Sequence, residues 1–235
     1  MSGLSDSGLS DLESSGLKPS ENKPFPIVVL ISGSGSNLQA IIDSNSGYPI
    51  DIRCVISNSD DAYGLERAKR SGIETRVINH RDYPDRSSYD AALMAEIDRH
   101  QPMLVVLAGF MRILTTDFVN HYSGRLINIH PSLLPLYPGL NTHQQAIDNG
   151  DKEAGATVHF VTPEVDDGPI IIQVRVPVFV NDSSSALASR VLEQEHLIYP
   201  KAIRWLAQGR LSIQDGIVLL DSDNSSKQQV CSDEN

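Results

Sequence analysis

Cysteine is nearly missing from this chain: Cys54 and Cys231 are the only two in 235 residues. Cys54 falls in an apolar stretch and Cys231 near the C-terminal end, so neither a disulfide framework nor a cysteine-rich zinc site is expected, and no metal is implied. Long apolar runs are missing as well. Stretches such as Met103 to Leu107 fall far short of the roughly 20 residues that span a bilayer, so no membrane segment is expected. No basic region followed by an apolar one opens the chain, as a signal peptide would require. Residues 1–24 carry seven serines together with Asp6, Asp11, Glu13 and Glu21, too acidic for a transit peptide, and the expected location is cytoplasmic. Positive charge is scarce: 19 Lys and Arg stand against 30 Asp and Glu, a net charge of −11. Neutralising a phosphate backbone takes a basic face, so nucleic acid is not an expected partner, although local cations could hold one small anion. Finally, there is no G-x-S-x-G and no cysteine at a strand end, so no protein nucleophile is evident.

What is present reads as one α/β domain over residues 25–220. It is flanked by a polar, acidic N-terminal arm over 1–24 and a similar tail over 221–235, both expected to be disordered. Ile27 to Ile31 is a continuous apolar run, the signature of a strand covered on both faces. The turn Ser32-Gly33-Ser34-Gly35-Ser36-Asn37 follows, then Leu38, Ala40, Ile41 and Ile42 at helical spacing. Strand, glycine turn and helix together make a cradle for an anion. Leu38 stands where a dinucleotide fingerprint has its last glycine, and the lysine of a P-loop is absent, so a simple phosphate site fits better. Strands are predicted at 52–57, 74–78 and 103–108, with helices at 63–71 and 85–100. Thr115 is expected to cap a short helix and Gly150 to stop another over 143–149. Two more strands, 156–161 and 170–178, are joined by a hairpin-like connection, which puts an antiparallel strand at the sheet edge. Asp182 is expected to cap a long helix to about residue 207, kinked at Pro200. This alternation predicts a doubly wound, mostly parallel, Rossmann-like sheet with helices on both faces.

The most informative stretch is Leu126-Ile127-Asn128-Ile129-His130-Pro131-Ser132-Leu133-Leu134-Pro135. Side chains alternate across a strand, so Asn128 and His130 share one face while Ile127 and Ile129 turn into the packing. Pro131 cannot donate to the ladder and ends the strand. An amide and an imidazole at a strand end can both donate to a developing oxyanion. In a doubly wound sheet ligands bind beyond the carboxyl ends of the strands. The glycine turn, Gly109 to Leu114 and His130 all fall there, and the Val165-Asp166-Asp167-Gly168 loop can reach them. A carboxylate beside His130 would favour the charged imidazolium. Without a protein nucleophile, the set points to direct transfer between two aligned substrates.

Asn128 to Pro135, with Asp166 thirty-six residues after His130, resembles the formyltransferase family that uses 10-formyltetrahydrofolate. Ser32 to Asn37, Ala108 to Leu114, Tyr137-Pro138-Gly139-Leu140 and Gln194-Glu195-His196 extend the likeness over about 26–212. The finer match is to members that formylate glycinamide ribonucleotide in purine biosynthesis. The resemblance implies a Rossmann-like formyltransferase fold and a catalytic set of Asn128, His130 and Asp166. It also implies a ribonucleotide site at Gly35, Ser36, Asn37 and Glu195. The folate site would comprise Arg86, Met111, Arg112, Ile113, Leu114 and Asn128, with 161–166 as its loop. Asp167 departs from the family pattern, which has glycine more often after the catalytic aspartate. By residue type alone Arg86 and Glu195 could be solvated charges, and His159, alternating inside a strand, reads as a satisfied core histidine.

Other readings stay open on the residues. A methionyl-tRNA formyltransferase shares this core but carries an extra C-terminal domain and a basic tRNA surface. A formyltetrahydrofolate hydrolase adds an N-terminal regulatory domain, which residues 1–24 are too short to form. A non-catalytic phosphate-binding module would not need Asn128, His130 and Asp166. Oligomeric state leaves no mark in the sequence, and a homodimer is compatible with it.

Overall fold

The computed structural model describes residues 24–44, 50–221 and 227–229. Apart from Pro24, Asp221 and Lys227–Gln229, the expected arm and tail lie outside them. The chain runs β1 (Phe25–Ile31), α1 (Ser36–Asp43), β2 (Ile50–Ser57), α2 (Tyr63–Arg70), β3 (Thr75–Val77), α3 (Arg86–Arg99) and β4 (Leu104–Leu107). It continues with α4 (Thr116–His121), β5 (Leu126–His130), α5 (Thr142–Asp148), β6 (Glu153–Phe160), β7 (Ile170–Pro177) and α6 (Ser184–Ala207). It closes with β8 (Leu211–Gln214), β9 (Ile217–Asp221) and β10 (Lys227–Gln229). The last of these pairs antiparallel with β9 rather than continuing as tail.

The main sheet has the order β3-β2-β1-β4-β5-β6-β7. Strands β3, β2, β1, β4 and β5 pair in parallel. Edge strand β7 is antiparallel to β6, as the hairpin-like connection predicts. Strand β6 is itself antiparallel to β5, so β6 is the one reversed strand and β7 regains the common direction. Between β1 and β4 the strand order changes direction: the chain steps outward from β1 through β2 to β3, then returns to β4 and moves the other way. Such a switch point leaves a crevice beyond the carboxyl ends of the two strands.

Every residue of β1 is buried, as a strand sandwiched between helical layers requires. Ile27, Val29 and Ile31 pack with Leu38 and Ile41 of α1 and with the apolar stripe of α6; Val28 and Leu30 pack with Tyr89, Leu93 and Ile97 of α3 and Phe118 of α4. Ile127 and Ile129 join the α6 side, which leaves Asn128 and His130 on the opposite face of β5. The Tyr199 hydroxyl, buried on α6, donates to the carbonyls of Leu107 (2.9 Å) and Ile127 (3.3 Å), fastening the helix to the last residue of β4 and the second of β5.

Thr115 caps α4 through its hydroxyl, which accepts the Phe118 N–H at 3.3 Å. The cap of α6 is Ser183, whose hydroxyl accepts the Ala186 N–H at 3.1 Å. Asp182, the expected cap, instead accepts the Phe179 N–H and a bidentate pair from Arg190, which holds its carboxyl low, at about 2. Two oxygens facing a guanidinium fork satisfy a carboxylate better than one helix N–H does. Helix α6 runs on through Pro200 to Ala207. No helix among the described residues is long and apolar enough to cross a membrane.

Candidate active site

Three loops meet at the switch point. The backbone N–H of Ser32, at the end of β1, donates to the Gly109 carbonyl at 3.1 Å. The Ser32 hydroxyl accepts the Met111 N–H at 2.7 Å and donates to Asn58 Oδ1 at 2.6 Å. One short side chain thereby ties the glycine turn, the loop after β4 and the end of β2 together. The turn itself depends on Gly35, which caps α1 at φ 69°. A Cβ there would stand 2.5 Å from the Cα of Gly64, so the turn and α2 approach as closely as two backbones can. Among the residues of the first turn of α1 there is no acid, and no side chain caps the helix. The first N–H groups of a helix lack intrahelical partners, and an uncapped end of this kind suits an anion.

Asn37 and Glu195, far apart in sequence, meet beside that turn. The Asn37 amide donates to Glu195 Oε2 at 2.7 Å, and both residues are buried. Asn37 Oδ1 is buried and has no hydrogen-bond partner. Burial pushes the Glu195 carboxyl up, opposed by the Asn37 hydrogen bond and by the field of His130. A raised carboxyl stabilises the fold fully below the unfolded value near 4.5 and loses that contribution as pH rises through the folded value. Near neutrality the ionised Glu195 is therefore a cost to the fold. Glu195→Gln, which keeps an acceptor for Asn37, is expected to raise Tm at pH 7–8, with the gain vanishing below about pH 4.5. Thermal melts at several pH values measure this; a lower Tm for the variant at pH 8 would overturn it.

His130, buried at the end of β5, faces an acceptor at each ring nitrogen. Nε2 lies 2.9 Å from the Tyr137 carbonyl and Nδ1 lies 3.4 Å from Asp166 Oδ2. Each ring nitrogen therefore lies within reach of an acceptor oxygen. Tyr137 is held for this purpose by its own side chain, whose hydroxyl donates to Asp151 at 2.6 Å and accepts from Asn149 at 2.8 Å. The Asp166 carboxylate also accepts the Gly139 N–H at 2.9 Å, joining its loop to the one that carries Tyr137. Asp166 has a left-handed backbone, φ 55°, which turns its side chain inward, while Asp167 is exposed. The adjacent carboxylates are thus separated by backbone conformation.

His159 completes the group. The β5–β6 register sets it directly opposite Asn128, and its Nε2 lies 3.3 Å from the Asn128 amide nitrogen and 3.7 Å from Asp166 Oδ1. Its Nδ1 is 2.8 Å from the Phe160 carbonyl. Burial pushes the His159 imidazole down, so the neutral ring donates from Nδ1 to Phe160 and accepts from Asn128 at Nε2. This orients the Asn128 amide and leaves its second N–H free. His159 is the satisfied, buried histidine that the sequence indicates, yet its partners are the site residues. Strand alternation reports its burial; only the register reports what lies opposite.

The other candidate residues divide. Arg86 is exposed at the first turn of α3. Four residues on, at the same helix face, buried Asp90 accepts the Thr115 N–H at 2.6 Å and so anchors the end of the 111–114 loop. Met111 and Ile113 are exposed apolar side chains on that loop, as are Leu140 and Val165 on the two loops joined through Gly139 and Asp166. This rim suits a flat, partly apolar ligand. Arg112 is half-buried, and its Nε has no partner. Among the described residues no group of His, Cys, Asp and Glu is placed to hold a metal ion.

Comparison with known proteins gives one consistent result. Residues 25–203 match the formyl transferase family. The phosphoribosylglycinamide formyltransferase of Escherichia coli is 54% identical over 210 residues, covering 88% of this chain and 99% of that protein. The human trifunctional purine biosynthetic protein adenosine-3 is 47% identical over 197 residues, which are 82% of this chain and 19% of that much longer protein. Among solved structures, the phosphoribosylglycinamide formyltransferase of Coxiella burnetii superposes with a TM-score of 0.81 at 52% identity, covering 85% of this chain and 94% of the other. Glycinamide ribonucleotide transformylase 1 of Symbiobacterium toebii gives a TM-score of 0.82 at 46% identity, with 88% and 99% covered.

Proposed function

The chain belongs to the formyl transferase family, and on that premise we propose how its own residues carry out the reaction. It is a one-carbon transferase of purine biosynthesis: the formyl group of 10-formyltetrahydrofolate passes to the amino group of glycinamide ribonucleotide, giving formylglycinamide ribonucleotide and tetrahydrofolate. We assign it to the cytoplasm as an enzyme of purine biosynthesis, and its net charge of −11 favours small-molecule substrates over nucleic acid.

The observation that carries the residue assignment is the His130–Asp166 pair beside Asn128 at the switch-point edge. The glycinamide nitrogen attacks the formyl carbon, a C–N bond forms, and the carbonyl oxygen becomes an oxyanion. Asn128, oriented by His159, donates its free N–H to that oxygen. His130 donates from the Nδ1 edge, where the 3.4 Å contact to Asp166 is looser than the 2.9 Å contact of Nε2 to Tyr137. Asp166 holds the imidazolium and relays the proton lost by the attacking nitrogen, through water, toward the folate nitrogen whose C–N bond breaks. Gly35, Ser36 and Asn37 receive the ribonucleotide phosphate, and Glu195 accepts from its ribose hydroxyls. The backbone of Met111, Arg112, Ile113 and Leu114 receives the folate head group, and Arg86, on the rim, its acidic end.

The test is absorbance of folate deformylation by purified protein in three mixtures: glycinamide ribonucleotide, water only, and initiator methionyl-tRNA. Turnover is expected only with the ribonucleotide. Equal turnover without an acceptor would make the protein a hydrolase, and turnover with the tRNA would overturn the acceptor assigned.

A further inference from the structure

The glycine turn has no cation of its own, and its electrostatics need one. A phosphate monoester carries about −1.5 to −2 charges near neutrality, whereas a helix N-terminus supplies roughly +0.5. Glu195, one hydrogen bond away through Asn37, adds a carboxylate on the same side. The helix end alone leaves such a site strongly negative once a phosphate enters.

Arg67, on α2, stands behind the turn. Its Nε donates to the Ser34 carbonyl at 2.9 Å and its Nη1 to Gln39 Oε1 at 3.3 Å, one contact on each side of Gly35. Its Cδ lies 3.5 Å from where a Cβ of Gly35 would be, and its guanidinium lies 5.0 Å from the centre of the Tyr63 ring. Of five N–H donors in a guanidinium, two are used here, both on neutral acceptors. Neighbouring cations on the helix are otherwise engaged: Lys69 pairs with Glu66 at 2.8 Å and Arg70 donates to the Tyr63 hydroxyl at 3.2 Å. Among the described residues Arg67 has no carboxylate partner, so its charge is uncompensated although it is half-buried. His196, next to Glu195 in sequence, is pushed down first by burial and then by the Arg67 charge, so that charge is felt at α6.

We propose that Arg67 is the phosphate-charge residue of the ribonucleotide site: a guanidinium from α2, locked to both flanks of the glycine turn, in the place a P-loop lysine holds in other phosphate cradles. The proposal rests on the reading that the turn receives the phosphate. Gly35 is what lets it work, because only a missing Cβ on each side allows α2 and its arginine so close.

The test compares glycinamide ribonucleotide with its dephosphorylated riboside as acceptors, and measures inorganic phosphate as a competitive inhibitor, for the wild type, Arg67→Gln and Arg67→Lys. The wild type is expected to prefer the ribonucleotide strongly. In Arg67→Gln that preference, taken as the ratio of kcat/KM values, should fall roughly tenfold or more, with phosphate inhibition weakened to match. Arg67→Lys should recover part of it, as a point charge without the fork. Equal losses on both acceptors would show that Arg67 merely props the turn, and would overturn the proposal while leaving the turn as the phosphate site. A wild type with no preference and no phosphate inhibition would overturn the phosphate reading of the turn itself.

Discussion

Asp166→Asn is expected to lower kcat by roughly 10²- to 10⁴-fold while leaving thermal stability close to that of the wild type. The two halves of that expectation have separate physical grounds. The carboxylate lies 3.4 Å from His130 Nδ1, and removing it takes away both the charge proposed to hold the imidazolium and the relay for the proton. The fold, by contrast, asks two things of this residue: a left-handed backbone at φ 55° and an acceptor for the Gly139 N–H. Asparagine supplies both, because it enters the left-handed region nearly as readily as aspartate and its amide oxygen accepts. Alanine would confuse the result by adding backbone strain. The companion variant Asn128→Ala removes one oxyanion donor, a loss on the order of 3 kcal/mol, or about a hundredfold. Steady-state kinetics with both substrates, alongside melts, decide the matter; a kcat within threefold of wild type for both variants would sink the mechanism.

Gly168→Ala should be the most damaging conservative change near the site. A Cβ at this position would lie 1.8 Å from the Phe160 carbonyl oxygen and 2.8 Å from its carbon. Neither can move cheaply, since Phe160 ends β6 and its N–H donates to the Pro169 carbonyl at 2.9 Å. Overpacking against backbone costs about 3 kcal/mol or more, which for a chain of this size lowers Tm by roughly 6–12 °C. The loop must shift to relieve it, and Asp166 shifts with it. Activity should therefore fall together with stability, which separates this variant from Asp166→Asn. Gly150→Ala is the control: that glycine has φ 69° but open space around it, so the cost is the left-handed strain alone, about 1–2 kcal/mol. Equal melting temperatures for Gly168→Ala and wild type would refute the close approach.

Two glycines illustrate how the chain uses absence. At Gly35 and Gly168 the missing side chain lets one backbone touch another, in one case bringing α2 against the glycine turn after β1 and in the other closing the aspartate loop onto β6. Both approaches shape the crevice from outside the reacting residues. Asp167, where the family resemblance leads one to expect glycine, has an exposed side chain.

By itself the sequence determined whatever depends on neighbours along the chain. Apolar runs made the strands, because a strand covered on both faces has no polar side to show. Thr115 made its cap, and the alternation of β5 put Asn128 and His130 on one face with Ile127 and Ile129 on the other. Motif length carried the family, and with it the proposal of Asn128, His130 and Asp166 as the catalytic set. Only the tertiary structure decided what meets across the sheet. Nothing local fixes that β1 lies beside β4, which lets Ser32 join two ligand loops, or that β6 reverses in the register that sets His159 against Asn128. Nor does local pattern tell that Arg67 passes behind a turn thirty residues earlier, or that the left-handed backbone of Asp166 separates it from Asp167. Those outcomes follow from strand order, register and close packing, which depend on the whole core at once, whereas periodicity and capping depend on a few residues at a time.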